Sequence, residues 1–234
     1  MHVATLATAY DLVIFTVPVQ QLDVLLPALK ASAAARILFM CNQFEPERLR
    51  EQVGAARCDF SMPLVQASLD AHGKLHAVTG AAGQTTRLGQ RCWMDLFNDA
   101  GLPAIFEPDM LLWLRCRAPP CVAFESWSVA AMRRDGGASW HESTTVAIGM
   151  QAGFTLIRAG GEPLYPAGKA RLAASPRWMA ATVLWIVSRS PSFHSLLANG
   201  INGCRALADI KAGAAHRCAL PIEAAKIAAM KPAA

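Results

Sequence analysis

Four residues of this 234-residue chain have the types and places to handle a small acid: Arg115, Asn42, Glu125 and Ser126. Arg115 lies in "LLWLRCRAPPC". A guanidinium offers paired donors in a planar fork, which fits a carboxylate. It stays charged at ordinary pH, so it orients and polarises but is a poor proton donor. The plainer alternative is a solvated helix arginine. Asn42 closes the apolar run "RILFMCN". The carboxyl end of a parallel strand is where open α/β sheets form their sites, although asparagine is also a common turn residue. Glu125 and Ser126 come ten and eleven residues after Arg115, about three turns on if one helix carries all three.

Other reactive types read as structural. His141 and Glu142 are adjacent, so they face apart on a helix and suit the surface. The seven cysteines form no C-x-x-C pair, which suits reduced thiols in the cytoplasm. No histidine falls at ligand spacing from them, so no metal is expected. Cys116 and Cys121 flank two prolines and read as packing residues rather than nucleophiles.

The elements that must position these residues divide near residue 108. "DLVIFTV" (11–17) is a β-branched apolar run that suits a strand buried on both faces. Leu22, Leu25, Leu26 and Leu29 then recur at helical spacing. "RILFMCN" (36–42) is a second strand and "EPERLREQV" (45–53) a helix, giving a parallel α/β unit. Strand candidates at 58–62, 74–79 and 84–88 read as hairpin-like additions to the sheet. A helix over 91–101 stops at Gly101, and a short strand follows over 103–108. Beyond Asp109, a natural N-cap, the pattern is helical. The spacing predicts a long helix kinked or broken at Pro119 and Pro120, then helices over 137–161 (stopped by Gly160 and Gly161), 175–191 and 201–221, and a short fraying tail. Trp113, Trp127, Trp178 and Trp185 are expected in the core.

Composition excludes several classes. Hydrophobic residues make up 53% and charged residues 17%, a globular mix. The longest apolar run, "WMAATVLWIV", is well short of the roughly 20 residues that span a bilayer, and no signal peptide is evident. The net charge of +5 is scattered without interleaved aromatics, so no nucleic-acid partner is expected.

One motif is missing. A dinucleotide-binding domain opens with strand, G-x-G-x-x-G and helix, because the glycines let the backbone approach the pyrophosphate. No G-x-G-x-x-G occurs in the chain; "GAAGQTTRLG" (80–89) and "NGING" (199–203) have the wrong spacing or context. The expectation is a truncated Rossmann-like parallel sheet, with "HVATLAT" (2–8) as a surviving strand and the glycine loop upstream of Met1.

The order of "YDLVIFTVPVQQLDVLLPAL", "ILFMCNQFEPERL", "GKLHAVTG…TTRLG" and "LFNDAGLPAIFEPDMLLWLRCRAPPCVAFES" resembles the ketopantoate reductase (2-dehydropantoate 2-reductase) family without its N-terminal part. The resemblance covers most of residues 10–130. It implies a partial NADP-binding domain over 1–108 and a helical substrate or dimerisation domain over 109–234. It implies a 2-oxo acid or related carbonyl as substrate and NADPH as hydride donor. Gln21 matches the family's glutamine, and Asn42 the asparagine that sits beside cofactor and substrate. The family's catalytic lysine, two residues after its tryptophan, falls at Arg115. A further family lysine falls at Pro18, and two substrate-binding asparagines fall at Pro119 and Ala123.

Three expectations follow. The chain is a reductase of this type, impaired as it stands and binding NADPH weakly or not at all. Alternatively it is a non-catalytic descendant that binds a small acid or a partner. Alternatively the helical half is chiefly an oligomerisation module, and the product is a homodimer.

Overall fold

The computed structural model describes residues 8–70, 72–79, 85–133, 137–190 and 201–232. The chain forms two compact units, Met1–Leu111 and Leu112–Ala234. The expected strand at 2–8 lies outside the described residues, apart from Thr8.

The first unit is a five-stranded mixed sheet with helices. Its strands are β1 (Leu12–Phe15), β2 (Arg36–Met40), β3 (Cys58–Met62), β6 (Thr86–Leu88) and β7 (Ala104–Phe106), in the order β1-β2-β3-β6-β7. The pairs β1–β2, β2–β3 and β6–β7 are parallel, and β3–β6 is antiparallel. The Rossmann-like parallel start expected from the sequence is therefore present, followed by a helical second unit. The first strand is shorter than 11–17 and is not buried on both faces: it ends the sheet order, and Ile14 is 46% exposed. The central strands are covered, with Ile37, Leu38 and Phe39 fully buried.

Helix α1 (Val19–Ala31) buries Val19, Leu22, Leu26 and Leu29 along one face, whereas Leu25 turns outward. Helix α2 is Pro46–Val53, with proline in its first turn, where no hydrogen-bonding N–H is needed. The expectation that all three later strands extend the sheet is corrected. β5 (Leu75–Thr79) pairs with β4 (Val65–Leu69) in a separate antiparallel hairpin, and only 58–62 and 84–88 supply strands to the main sheet. Helix α3 (Arg91–Asp99) ends just before its expected glycine stop.

The second unit is helical throughout its described residues. Helix α4 (Met110–Met132) runs unbroken through Pro119 and Pro120, against the expected break. Proline inside a helix costs about 3 kcal/mol. Packing offsets that here, because both prolines are buried and Gly153 gives Pro119 room: a Cβ on Gly153 would lie 2.9 Å from Pro119 Cβ. Helix α5 (Trp140–Ala159) starts in a capping box, with Ser139 Oγ accepting from the Glu142 N–H and Glu142 accepting from the Ser139 N–H. Glu142 thus has a structural task that its neighbour His141 lacks.

A short helix absent from the sequence reading, α6 (Ala167–Ala174), precedes α7 (Arg177–Val187). Helix α8 is Ile201–Arg217 and α9 is Pro221–Ala229. The tail does not fray. α9 packs on α5 and α8, burying Ala224 and Ile227, and Met230 lies so close to Gly149 that a Cβ there would meet it at 2.8 Å. Trp113 and Trp127 are core residues, with Trp127 Nε1 donating to the Leu184 carbonyl at 2.7 Å. Trp178 is not: it is 65% exposed, because α7 buries Ala180, Ala181 and Leu184 instead.

Candidate functional site

In the first unit the chemistry gathers at the carboxyl ends of β2 and β3. The parallel register sets Met40 opposite Ser61, so the last residue of β2 is level with the end of β3. Asn42 lies two residues beyond β2. Its Oδ1 and the Ser61 Oγ are both buried and both lack a hydrogen-bond partner among the described residues. Each such atom costs about 1–3 kcal/mol when left unsatisfied. The two stand at adjacent parallel strand ends, the edge at which open α/β sheets place their sites. Beside them, buried Gln43 Nε2 donates to Cys41 Sγ at 3.1 Å, and burial pushes the Cys41 thiol up to about 11, so it is no nucleophile. Gln21 is exposed on the first turn of α1 and makes no side-chain hydrogen bond with the described residues.

In the second unit the residues belong to α4. Arg115 is not free: its guanidinium pairs with the Glu162 carboxylate. The segment after α5 is held on the same helix by Cys116, whose Sγ accepts from the Tyr165 N–H at 3.3 Å and lies 3.8 Å from the Pro163 carbonyl. Ser126 is buried with Oγ 3.4 Å from Cys204 Sγ on α8. Glu125 also shares a hydrogen bond with Cys204, so Cys204 joins these two candidates. Pro119 and Ala123 are buried, consistent with their lack of binding groups.

The polar residues of α4 instead form a stripe at i, i+4 and i+8: Arg117, Cys121 and Glu125. The Cys121 thiol donates toward Glu125 Oε1 at 3.7 Å. Arg117 lies over the Trp113 ring, 5.6 Å from its centroid, and among the described residues its buried Nε has no hydrogen-bond partner. Two lysines join this stripe from other helices. Lys169 of α6 lies within charge range of Arg117, Cys116 and Cys121. Lys211 of α8 lies within charge range of Cys121, Cys204 and Glu125.

The burial of these groups shifts them strongly. Lys211 is fully buried, and among the described residues its Nζ finds only the Ala118 carbonyl at 3.5 Å, beyond ordinary hydrogen-bond length. Burial brings Lys211 down to about 7, and burial with the Arg117 charge brings Lys169 down to about 8. Glu125 is pushed up to about 7 by burial. Cys121 and Cys204 are pushed up to about 12, mainly by burial, and remain neutral thiols.

Sequence reasoning missed Arg117, Lys169, Cys204, Lys211 and Ser61. The stripe had a signal, three polar residues at helical spacing in an apolar segment. Lys211 and Lys169 had none, since only the packing of α6 and α8 brings them to α4. Among the described residues no three histidine, cysteine or acidic side chains gather as a metal site would require. No helix of the described residues is long and apolar enough to cross a membrane.

No protein-family sequence profile and no curated protein sequence matches the chain. Solved structures do. The chain is similar to D-mandelate dehydrogenase in complex with NADH, at 13% identity and a TM-score of 0.62, covering 94% of this chain and 77% of that one. It is similar to a PanE/ApbA family ketopantoate reductase from Ralstonia eutropha, at 16% identity and a TM-score of 0.65, over 94% and 74%. The ternary structure of D-mandelate dehydrogenase with NADH and anilino(oxo)acetate matches at 12% identity and a TM-score of 0.55, over 95% and 77%. The fold is therefore that of the ketopantoate reductases and D-mandelate dehydrogenase, as the motif order implied.

Proposed function

We propose that this chain is a ketopantoate reductase-like oxidoreductase that acts on a 2-oxo acid or related carbonyl with a nicotinamide cofactor, NADP by the resemblance, and that its turnover is impaired as the chain stands. The observation that carries this reading is the pair of buried, unpartnered atoms Asn42 Oδ1 and Ser61 Oγ at the ends of β2 and β3. They suit a ribose hydroxyl or a carboxamide. The pyrophosphate is served less well, because the sequence holds no G-x-G-x-x-G. The residues fit one end of a dinucleotide and not its middle.

In this reading residues 1–108 are the cofactor part, with Gln21 and Asn42 on that side, and 109–234 are the substrate part. Arg115, held by Glu162, is a fixed positive charge that orients the substrate. Glu125, with its raised pKa of about 7, supplies the titratable acid that an arginine cannot be, and Ser126 supports it through Cys204. Seven free cysteines support the cytoplasm as the compartment. The exposed Trp178, Met179, Val183 and Ile186 of α7 support a homodimer.

The test is a titration of NADH and NADPH, followed by tryptophan fluorescence. The expected result is saturable binding with Kd of about a millimolar, lost in Asn42→Ala. Micromolar binding would overturn the impairment. Complete absence of binding would favour the non-catalytic descendant, which the engagement of Arg115 with Glu162 and the buried Pro119 and Ala123 also favour.

A further inference from the structure

We propose that Arg117, Lys169 and Lys211, gathered around the Arg117–Cys121–Glu125 stripe of α4, form a binding site for the carboxylate of a small organic anion. The proposal deepens the reading above, on which only the choice of a 2-oxo acid as ligand rests.

The argument begins with charge. Three cationic side chains from three helices, α4, α6 and α8, gather along the Arg117–Cys121–Glu125 stripe, which carries one carboxylate: Arg117 and Lys211 lie within charge range of Glu125, and Lys169 within charge range of Arg117 and Cys121. The two thiols of the cluster, Cys121 and Cys204, contribute no counter-charge, because burial keeps them protonated. Among the described residues the other acids of this unit have partners elsewhere: Glu142 caps α5, Glu162 holds Arg115, Glu223 holds Lys226 and Asp209 holds Lys231. The cluster therefore carries more positive than negative charge in a place where charge is expensive.

Geometry says where the missing anion fits. Arg117 keeps a buried, unpartnered Nε while its side chain remains half-buried, so part of the planar fork is free to meet a carboxylate edge-on. Lys169 is likewise half-buried and reachable from solvent. Lys211 lies beneath, fully enclosed, with only a carbonyl at 3.5 Å. A purely structural role does not explain Lys211, since a methionine would fill the same space without desolvating an amine. Arg115, the sequence candidate for a carboxylate clamp, already holds a carboxylate of the protein's own; Arg117, two residues on, does not.

The groups facing the site are Arg117, Cys116, Cys121 and Glu125 from α4, Lys169 from α6, and Cys204 and Lys211 from α8. As pH rises from 6 to 9, the two lysines lose protons and Glu125 becomes fully charged. Anion affinity falls across that interval.

The experiment is calorimetric titration of the whole chain with pyruvate at pH 6.5, without nucleotide, alongside pyruvamide, its neutral counterpart. Saturable pyruvate binding is expected, with pyruvamide at least ten-fold weaker. Arg117→Gln and Lys169→Gln should each weaken pyruvate at least ten-fold, with Arg117→Lys recovering part of the loss, while exposed Arg171→Gln changes nothing. Equal binding of pyruvamide, unchanged affinity in Lys169→Gln, or no pyruvate binding at all would overturn the site. Lys169→Gln keeps the test decisive if Arg117→Gln does not fold, because Lys169 is only half-buried. Since no nucleotide is present, failure of the site and failure of cofactor binding are read separately.

Discussion

Each unit of the molecule buries a charge, and the two are treated in opposite ways. In the sheet unit Asp59, on β3, is enclosed and fully answered. Arg36 donates from Nε at 2.9 Å and from its terminal NH2 at 2.6 Å, and Trp93 Nε1 donates at 2.7 Å. Just after β7 the pattern recurs, with buried Glu107 held by Arg87 of β6 at 2.8 Å. In the helical unit Lys211 is enclosed just as completely and has one carbonyl at 3.5 Å. The first arrangement is closed and needs nothing more. The second is open, and an open buried charge is destabilising unless something else completes it. The comparison teaches that buried charge by itself does not mark a site; the unmet valence does.

The largest expected effect follows from that openness. Lys211→Met should stabilise the protein by on the order of 4 kcal/mol at pH 7, the scale of bringing a lysine from 10.5 to about 7 by burial. The pH dependence of the wild type has a definite sign. Between pH 7 and 10.5 the unfolded chain binds the Lys211 proton that the folded chain has lost, so stability rises with pH there and the lysine's contribution is flat below 7. Glu125 acts oppositely: its folded value of about 7 against 4.5 means that stability falls as pH rises from 4.5 to 7. Stability therefore has a minimum near neutrality. Urea denaturation at pH 5, 7 and 9 checks both points. The methionine variant should lose the rise that begins at pH 7 and keep only the smaller one that Lys169, with its folded value of about 8, adds above that pH; a loss of stability in the variant would break the comparison at its open end.

The closed end is tested by Asp59→Ala. Removing the carboxylate leaves Trp93 Nε1 without its partner and Arg36 half-turned to solvent, and a loss of about 3 kcal/mol is expected. The measurement is again the denaturation midpoint. A change under about 0.5 kcal/mol would mean that the network is ornamental and that the two buried charges do not differ in kind.

How much of this was legible in the sequence depends on the range of the interaction that decides it. The β1–α1–β2–α2 start and most of the helices were readable, because apolar period and breakers are local signals. Pro119 and Pro120 misled, because the packing of Gly153 against Pro119 that lets the helix continue comes from another helix. The tail misled for the same reason: its alanines look featureless until α5 and α8 are beside them. Asn42 was found from its strand-end position, but its silent partner Ser61 lies on the next strand and only the register joins them. Arg115 was chosen by motif, and the long-range Glu162 pairing was invisible. Lys211, in "ALADIKAGAA", looks like a solvated face on one helix and becomes a buried cation only when α8 docks.

The smallest effect sharpens the comparison most finely. Trp93→Phe keeps the ring that α3 packs against Leu38, Met40, Leu88 and Ala104, and removes only the N–H to Asp59. Asp59 retains both bonds from Arg36, so the lost hydrogen bond should cost about 1 kcal/mol, and no more than about 2. In combination with Asp59→Ala the phenylalanine should cost almost nothing, since its partner is already gone. A double-mutant cycle in urea therefore reads a coupling of about 1 kcal/mol between the two side chains. Additive effects would show that Trp93 serves the core and not the carboxylate. Asp59 would then be closed by Arg36 alone, and the contrast with Lys211 would rest on a single ion pair.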